Sequence, residues 1–335
     1  MTKNLCLIKN KHNKQDITGY GSVDYNFLIQ QNFISIQEYV DFLNSISPLV
    51  SKYNIYTYDI SNIIINENKV YKIHPEADPY QPITYINFQD LQKYCLWLNC
   101  KSLKTLDEIL QENKSTYVRN LDDEFWIPSY NEWYKAAYYN FKNQSYWCFP
   151  NGSDQPPEDD DLIVNTASDY GVINAGFKFY HILWDSTCKN KEYQIAGGSF
   201  NRNKLNAKSG TKHTVSEKYR SNYISARLCK KSDTKSLTLV LHDTYGDGWQ
   251  NNYLLITDAN HKPLADKITL GDGYGPMYFN IDVDLIERYI NIKYIAETKN
   301  AYENYYEVYD TDTQACLYKS TLYEKPPDNI IIKIQ

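Results

Sequence analysis

A change of periodicity near Asp233 constrains this chain more than any other feature. Beyond it lie six short β-type runs: SLTLVLHD, NNYLLITD, PMYFNIDVD, YINIKYIA, NYYEVYD and NIIIKI, each bounded by turn residues. Runs of this length and spacing bury one face each against a second sheet. They predict an all-β sandwich of about one hundred residues. Before the boundary the spacing is helical, and no internal repeat is found. Two domains are therefore expected, 1–232 and 233–335.

In the first domain the helix starts are marked by capping boxes, in which an N-cap side chain and an N3 side chain satisfy each other's backbone amides. Ser35 with Glu38 precedes Ile36, Tyr39, Val40 and Leu43, spaced as one helical face. Asn87 with Asp90 precedes Leu91, Tyr94, Cys95 and Leu98. Ser129 with Glu132 precedes Trp133, Ala136 and Ala137. Long stretches rich in Asn, Pro and Tyr separate these segments, and the fold class expected is α+β.

Composition narrows function more than fold. Of 335 residues 33 are Tyr, while Asn, Ile and Lys are also frequent. All four have A/T-rich codons, so the bias reads as genomic first, although Tyr supplies rigid contact area on binding surfaces. A net charge of −6 argues against a polyanion-binding chain, and nucleic acid is not an expected partner. One stretch runs the other way: NRNKLNAKSGTKHTVSEKYR sets six basic residues against Glu217. It reads either as a solvated loop and strand face or as a site for an acidic ligand.

The seven cysteines (6, 95, 100, 148, 188, 229 and 316) form no CxxC, and Cys95 and Cys100 lack metal-ligand spacing. Cys95 falls on an apolar helical face, the usual place of a small buried thiol. The start MTKNLCLIKNKHNKQ has no apolar signal region, and no run approaches a membrane span. The expectation is a chain made in the cytosol without a signal peptide, with reduced thiols and no membrane span.

From about Gly19 to Lys230 the motifs resemble, in order, those of the formylglycine-generating enzyme family. This is the sulfatase-modifying-factor domain, a variant of the C-type-lectin-like fold. GSVDYNFLIQQNFISIQEYVDFLNSI is similar to its opening strand and helix, and QPITYINFQDLQKYCLWLN to its PV…WLN segment. WIPSYNEWYKAAYYN with YWCFPNGSD resembles its EW-x-KAAYY and TGSD motifs, AGGSFNR its GGSW, and ISARL its closing GFR. The resemblance implies a C-type-lectin-like fold for this domain, with Trp126–Asn140 as a scaffold segment.

It also implies where catalysis would lie, and there the sequence departs. The family's two copper-binding cysteines carry over to about Arg202 and Ala207, and no Cys occurs between Cys188 and Cys229. Without a thiolate there is no soft ligand for Cu(I) and no thiol nucleophile. The structural-calcium signature aligns with GVINAGFKFYHI, placing Lys178 and His181 where oxygen ligands would stand. By the same resemblance Asn165 reads as a remnant of a second calcium site whose downstream ligands are shortened away. A related iron-dependent branch uses a three-His site, but the six His here are scattered, and His181 with His213 would still lack a third ligand.

In the second domain LHDTYGDGWQNNYLLITD resembles the D-x-Y-G-D-G-W signature of small β-sandwich modules. Asp243 and Asp247 either cap a tight turn at Gly246 and Gly248 or contribute to a calcium-ordered loop, to which Asp272 could add a ligand. GDGYGP reads as a β-turn and PPEDDD as a solvated loop. No Ser-His-Asp pattern stands out.

The function expected is a non-catalytic structural or recognition protein: a virion or surface component, or an adhesion-type binder, with a protein or glycan surface as ligand. One alternative is a formylglycine-generating or related metal-dependent oxidase with relocated catalytic residues. A second is a glycan-binding protein. The expected binding residues are Arg202, Lys204, Lys208 and His181. No cofactor is expected, with calcium at Asp243 and Asp247 left open, as is homo-oligomer or virion assembly. The composition resembles proteins of A/T-rich giant DNA viruses, hence the virion as a location.

Overall fold

The computed structural model describes residues 4–11, 13–55, 62–112, 119, 123–156, 166–184, 192–200, 202–285, 287–311 and 313–334. They form a mixed α+β protein, richer in sheet than in helix. The chain divides into two compact units, Met1–Ser232 and Asp233–Gln335. Asn165, Cys188, Asn201 and the acidic residues of PPEDDD lie outside the described residues.

In the first unit all three capping boxes close, starting the helices Ile36–Ser45, Phe88–Asn99 and Tyr130–Tyr138. A further helix, Leu103–Gln111, starts at Ser102, whose hydroxyl accepts from the Thr105 amide. The unit's first and last strands are joined in one antiparallel sheet. Its order is Leu5–Ile8, Phe27–Gln30, Cys229–Lys231 and Phe125–Trp126. A second sheet runs Lys212–Ser216, Glu192–Ala196, Tyr180–Leu183 and Ile224–Ser225, the last pairing parallel. Much of the tyrosine content is spent inside. Tyr39 stacks on Tyr94 at 5.9 Å, Phe42 meets Tyr94 edge-on at 5.2 Å, and Tyr134, Tyr138 and Tyr193 are buried. Such pairs add about 0.5–1.5 kcal/mol each beyond the area they bury.

The second unit is two antiparallel sheets that share one apolar core. One sheet runs Met277–Asp284, Thr234–Asp243, Asn304–Asp310 and Cys316–Lys319; the other runs Tyr253–Thr257, Tyr289–Ile295 and Asn329–Lys333. Leu237, Leu239 and Leu241 alternate inward from the first sheet and meet Leu254, Ile256, Ile290 and Ile292 from the second. Trp249 is fully buried in this core, and its indole N–H donates to the His242 carbonyl at 2.8 Å. That bond fixes the turn after Asp243 against the sheet.

Candidate functional site

The helix Tyr130–Tyr138 is bound into the scaffold through Glu132. Its Oε1 accepts from the Trp126 indole at 2.7 Å, the Tyr25 hydroxyl at 2.7 Å and Arg119 Nη1 at 3.0 Å, while Oε2 accepts from the Ser129 amide at 2.7 Å. The Arg119 guanidinium also lies over the Trp126 ring at 3.8 Å. A buried carboxylate with four donors is committed to structure.

The segment after the GGS motif is a short 3-10 turn, Lys204–Ala207, whose N-cap Asn203 side chain accepts from the Leu205 amide at 2.9 Å. Ala207 is fully buried and packs with Phe149, Phe177 and Cys148; its carbonyl accepts from the Tyr138 hydroxyl at 2.9 Å. A Cβ on Gly198 would come within 3.4 Å of the Ala207 methyl, so the backbone closes over this position. Cys148 is a thiol packed against this cluster. Burial, and then the Asp154 carboxylate, push that thiol up, which lowers its thiolate fraction.

Arg202 and Lys208 are exposed and Lys204 is half-buried, with Phe200 and Leu205 also exposed, at 58% and 57%. Further along the basic stretch Lys218 is exposed, but Lys212 and Arg220 turn inward. Lys212 Nζ donates to the Tyr20 hydroxyl at 2.8 Å and lies over the Tyr20 and Tyr130 rings. Arg220 pairs with the buried Asp90 carboxylate and donates to the Tyr85 carbonyl at 2.7 Å. Asp90 is itself the N3 residue of a capping box, so Arg220 locks a helix start to the second sheet's loop.

His181 does not join the basic turn, contrary to the sequence expectation. It is 1% exposed in the strand Tyr180–Leu183, and its Nε2 accepts from Arg227 Nε at 2.9 Å. Burial first, and then the Arg227 charge, hold its pKa well below the usual imidazole value. His213 lies on a neighbouring cross-strand row, aligned with Ile195 and Ile182 rather than with Ala196 and His181. The two imidazoles therefore point to opposite faces of the sheet, and His213 is exposed.

In the second unit Asp243 and Asp247 do come together, and Glu303 joins them. One carboxylate oxygen from each lies within 4.8 Å of the other two. Asp243 ends its strand, and its Oδ1 accepts from the amides of Tyr245, at 2.9 Å, and Gly246. Asp247 is exposed and takes a bond from the Gln250 side chain. Glu303 closes the 3-10 turn Ala301–Glu303 just before the strand Asn304–Asp310, where Asn304 pairs with Asp243. Asp272, the third residue suspected from sequence, is exposed and outside the trio. Glu303 carries no local sequence signal, because only strand pairing brings it to Asp243.

No family model and no curated protein sequence matches the chain. Among solved structures it is similar to the crystal structure of CarF at 14% identity, covering 69% of this chain and 98% of that one, with a TM-score of 0.45. PvdO from Pseudomonas aeruginosa is similar at 12% identity over 68% of this chain and 91% of its own, TM-score 0.38. Treponema denticola variable protein 1 gives 11%, 68%, 94% and 0.42 in the same order. No helix among the described residues is long and apolar enough to cross a membrane.

Proposed function

We propose that the chain is a non-catalytic recognition protein on a formylglycine-generating-enzyme-type scaffold, followed by a β-sandwich module, with Arg202, Lys204 and Lys208 at its binding face. One observation carries this reading. The turn that replaces the family's active-site strand presents basic side chains beside the exposed Phe200 and Leu205. Apolar side chains among cations form a surface suited to an acidic protein or glycan: the charges steer the partner in, and the apolar groups supply contact area. By the resemblance the family's catalytic positions fall at about Arg202 and the packed Ala207, which offer neither a soft metal ligand nor a nucleophile.

The test is retention of the full chain on an immobilised sulfated polysaccharide and on a panel of acidic proteins, against a variant carrying Arg202→Ala, Lys204→Ala and Lys208→Ala. Salt-sensitive retention lost in the variant supports the reading, and equal behaviour of the two proteins removes it. Oxidation of cysteine in a sulfatase-type peptide by the copper-loaded protein would restore the oxidase alternative.

A further inference from the structure

We propose that Asp243, Asp247 and Glu303 form a calcium site in the second unit, independent of the binding face above. The three carboxylates come from a strand end, the turn after it and a 3-10 turn before the neighbouring strand. They converge because Asp243 pairs with Asn304 and the Thr244 amide donates to the Glu303 carbonyl at 2.9 Å.

The decisive observation is what two of them lack. Asp243 is 3% exposed and Glu303 7%, and both Asp243 Oδ2 and Glu303 Oε2 are buried without any hydrogen-bond partner. The ion pairs among this unit's described residues are Lys235–Asp310, Lys267–Glu297, Lys319–Glu307 and Lys325–Asp328, and none reaches the trio. Turn capping accounts for Asp243 Oδ1 and leaves Oδ2 unexplained. Buried carboxylate oxygens with neither donor nor cation pay the full cost of desolvation, and a third carboxylate beside them adds repulsion. A bound cation removes both penalties.

The donor set selects the ion. It is all carboxylate, with no imidazole or thiolate, which suits a hard cation. Calcium–oxygen distances of about 2.3–2.6 Å place oxygens on one ion at most about 5 Å apart, a span that accommodates the trio. Two of the ligands are almost out of solvent, and magnesium, which dehydrates reluctantly, is poorly served by such a site. The remaining calcium positions fall to backbone carbonyls and water.

Ion binding here would also order an aromatic surface. The Tyr274 ring packs on Gly246, and Tyr302 directly precedes Glu303 in the 3-10 turn. Tyr245, Tyr274 and Tyr302 are 71%, 66% and 50% exposed. Tyrosines this near the site also give it a readout, because they transfer excitation to bound terbium.

The experiment titrates the chelator-treated full chain with Tb³⁺, reading tyrosine-sensitised emission, then displaces it with Ca²⁺ or Mg²⁺; calorimetry with Ca²⁺ gives the stoichiometry. One saturable site is expected, displaced by Ca²⁺ at far lower concentration than by Mg²⁺. Asp247→Asn, at an exposed position, and Glu303→Gln should each weaken it by about tenfold or more, as loss of a charged ligand does. Asp243→Asn, which keeps the oxygen that caps the turn, should do the same. Absence of saturable binding, unchanged binding in Asp247→Asn and Glu303→Gln, or equal displacement by Mg²⁺ would each overturn the assignment.

Discussion

Arg227 Nε donates to His181 Nε2 at 2.9 Å, and each side chain is only 1% exposed. The other guanidinium nitrogens donate to carbonyls, of Gln30 at 3.0 Å, Gln31 at 2.7 Å and Ile173 at 2.8 Å, and burial lowers the Arg227 pKa to about 9. The imidazole must therefore stay neutral, accepting at Nε2 with its proton on Nδ1. Its folded pKa lies well below the ordinary 6.5 because of burial and then Arg227. When pH falls the unfolded chain takes up the proton first, so stability is complete above about 6.5 and declines below it, by up to about 1.4 kcal/mol per pH unit. His181→Gln keeps an acceptor and removes the titration. Urea unfolding at about pH 7.5 and about pH 5.5 should show a shallower loss in that variant, whereas equal losses would exonerate His181.

Glu132 supports the second prediction. Removing it strips one acceptor from Trp126, Tyr25, Arg119 and the Ser129 amide together. Glu132→Ala should lower unfolding free energy by about 3 kcal/mol or more, the scale for breaking a buried charge pair. Glu132→Gln, which retains the hydrogen-bond acceptor, should cost less. Denaturant titration checks both, and a stable Glu132→Ala would mean that the helix start does not depend on this network.

The arginines of one basic stretch should behave oppositely. Arg220→Ala leaves the buried Asp90 unpaired and should destabilise the first unit by about 3 kcal/mol. Arg202→Ala at the exposed turn should stay within about 0.5 kcal/mol of the parent while weakening retention on an acidic ligand. Thermal unfolding measured beside the binding assay separates the two effects. Matching losses of stability would mean that the exposed turn is structural as well.

Legibility followed distance along the chain. The capping boxes are i, i+3 relations between Ser35 and Glu38, Asn87 and Asp90, and Ser129 and Glu132, so the residues alone announce them. The Asp243 turn was legible for the same reason. Glu303 was not, because its place beside Asp243 is made by strand pairing. From sequence His181 reads as a binding residue, because nothing local says that Arg227 will meet it across the core. The basic stretch from Arg202 to Arg220 reads as one face, yet Asp90 draws Arg220 inward and Tyr20 draws Lys212. The tyrosine excess likewise conceals whether a ring packs inside, as Tyr94 does, or faces solvent, as Tyr245 does.

Gly248 and Gly273 separate backbone strain from collision near the proposed ion. Both adopt positive φ, +77° and +82°, which any side chain resists. A Cβ at Gly273 would meet nothing within 4 Å, but at Gly248 it would come to 2.7 Å from the Gly271 carbonyl oxygen and 2.9 Å from the Asp272 amide nitrogen. Those are backbone atoms and cannot rotate away. Gly273→Ala should therefore cost about 1 kcal/mol, the left-handed penalty alone. Gly248→Ala should cost distinctly more, about 2–3 kcal/mol, because it also forces the turn off Gly271 beside the buried Trp249. Hydrogen exchange along the Thr234–Asp243 strand reads both variants in the full chain. Equal loss of protection would show that the close approach to Gly271 yields freely, so that only φ selects glycine at both positions.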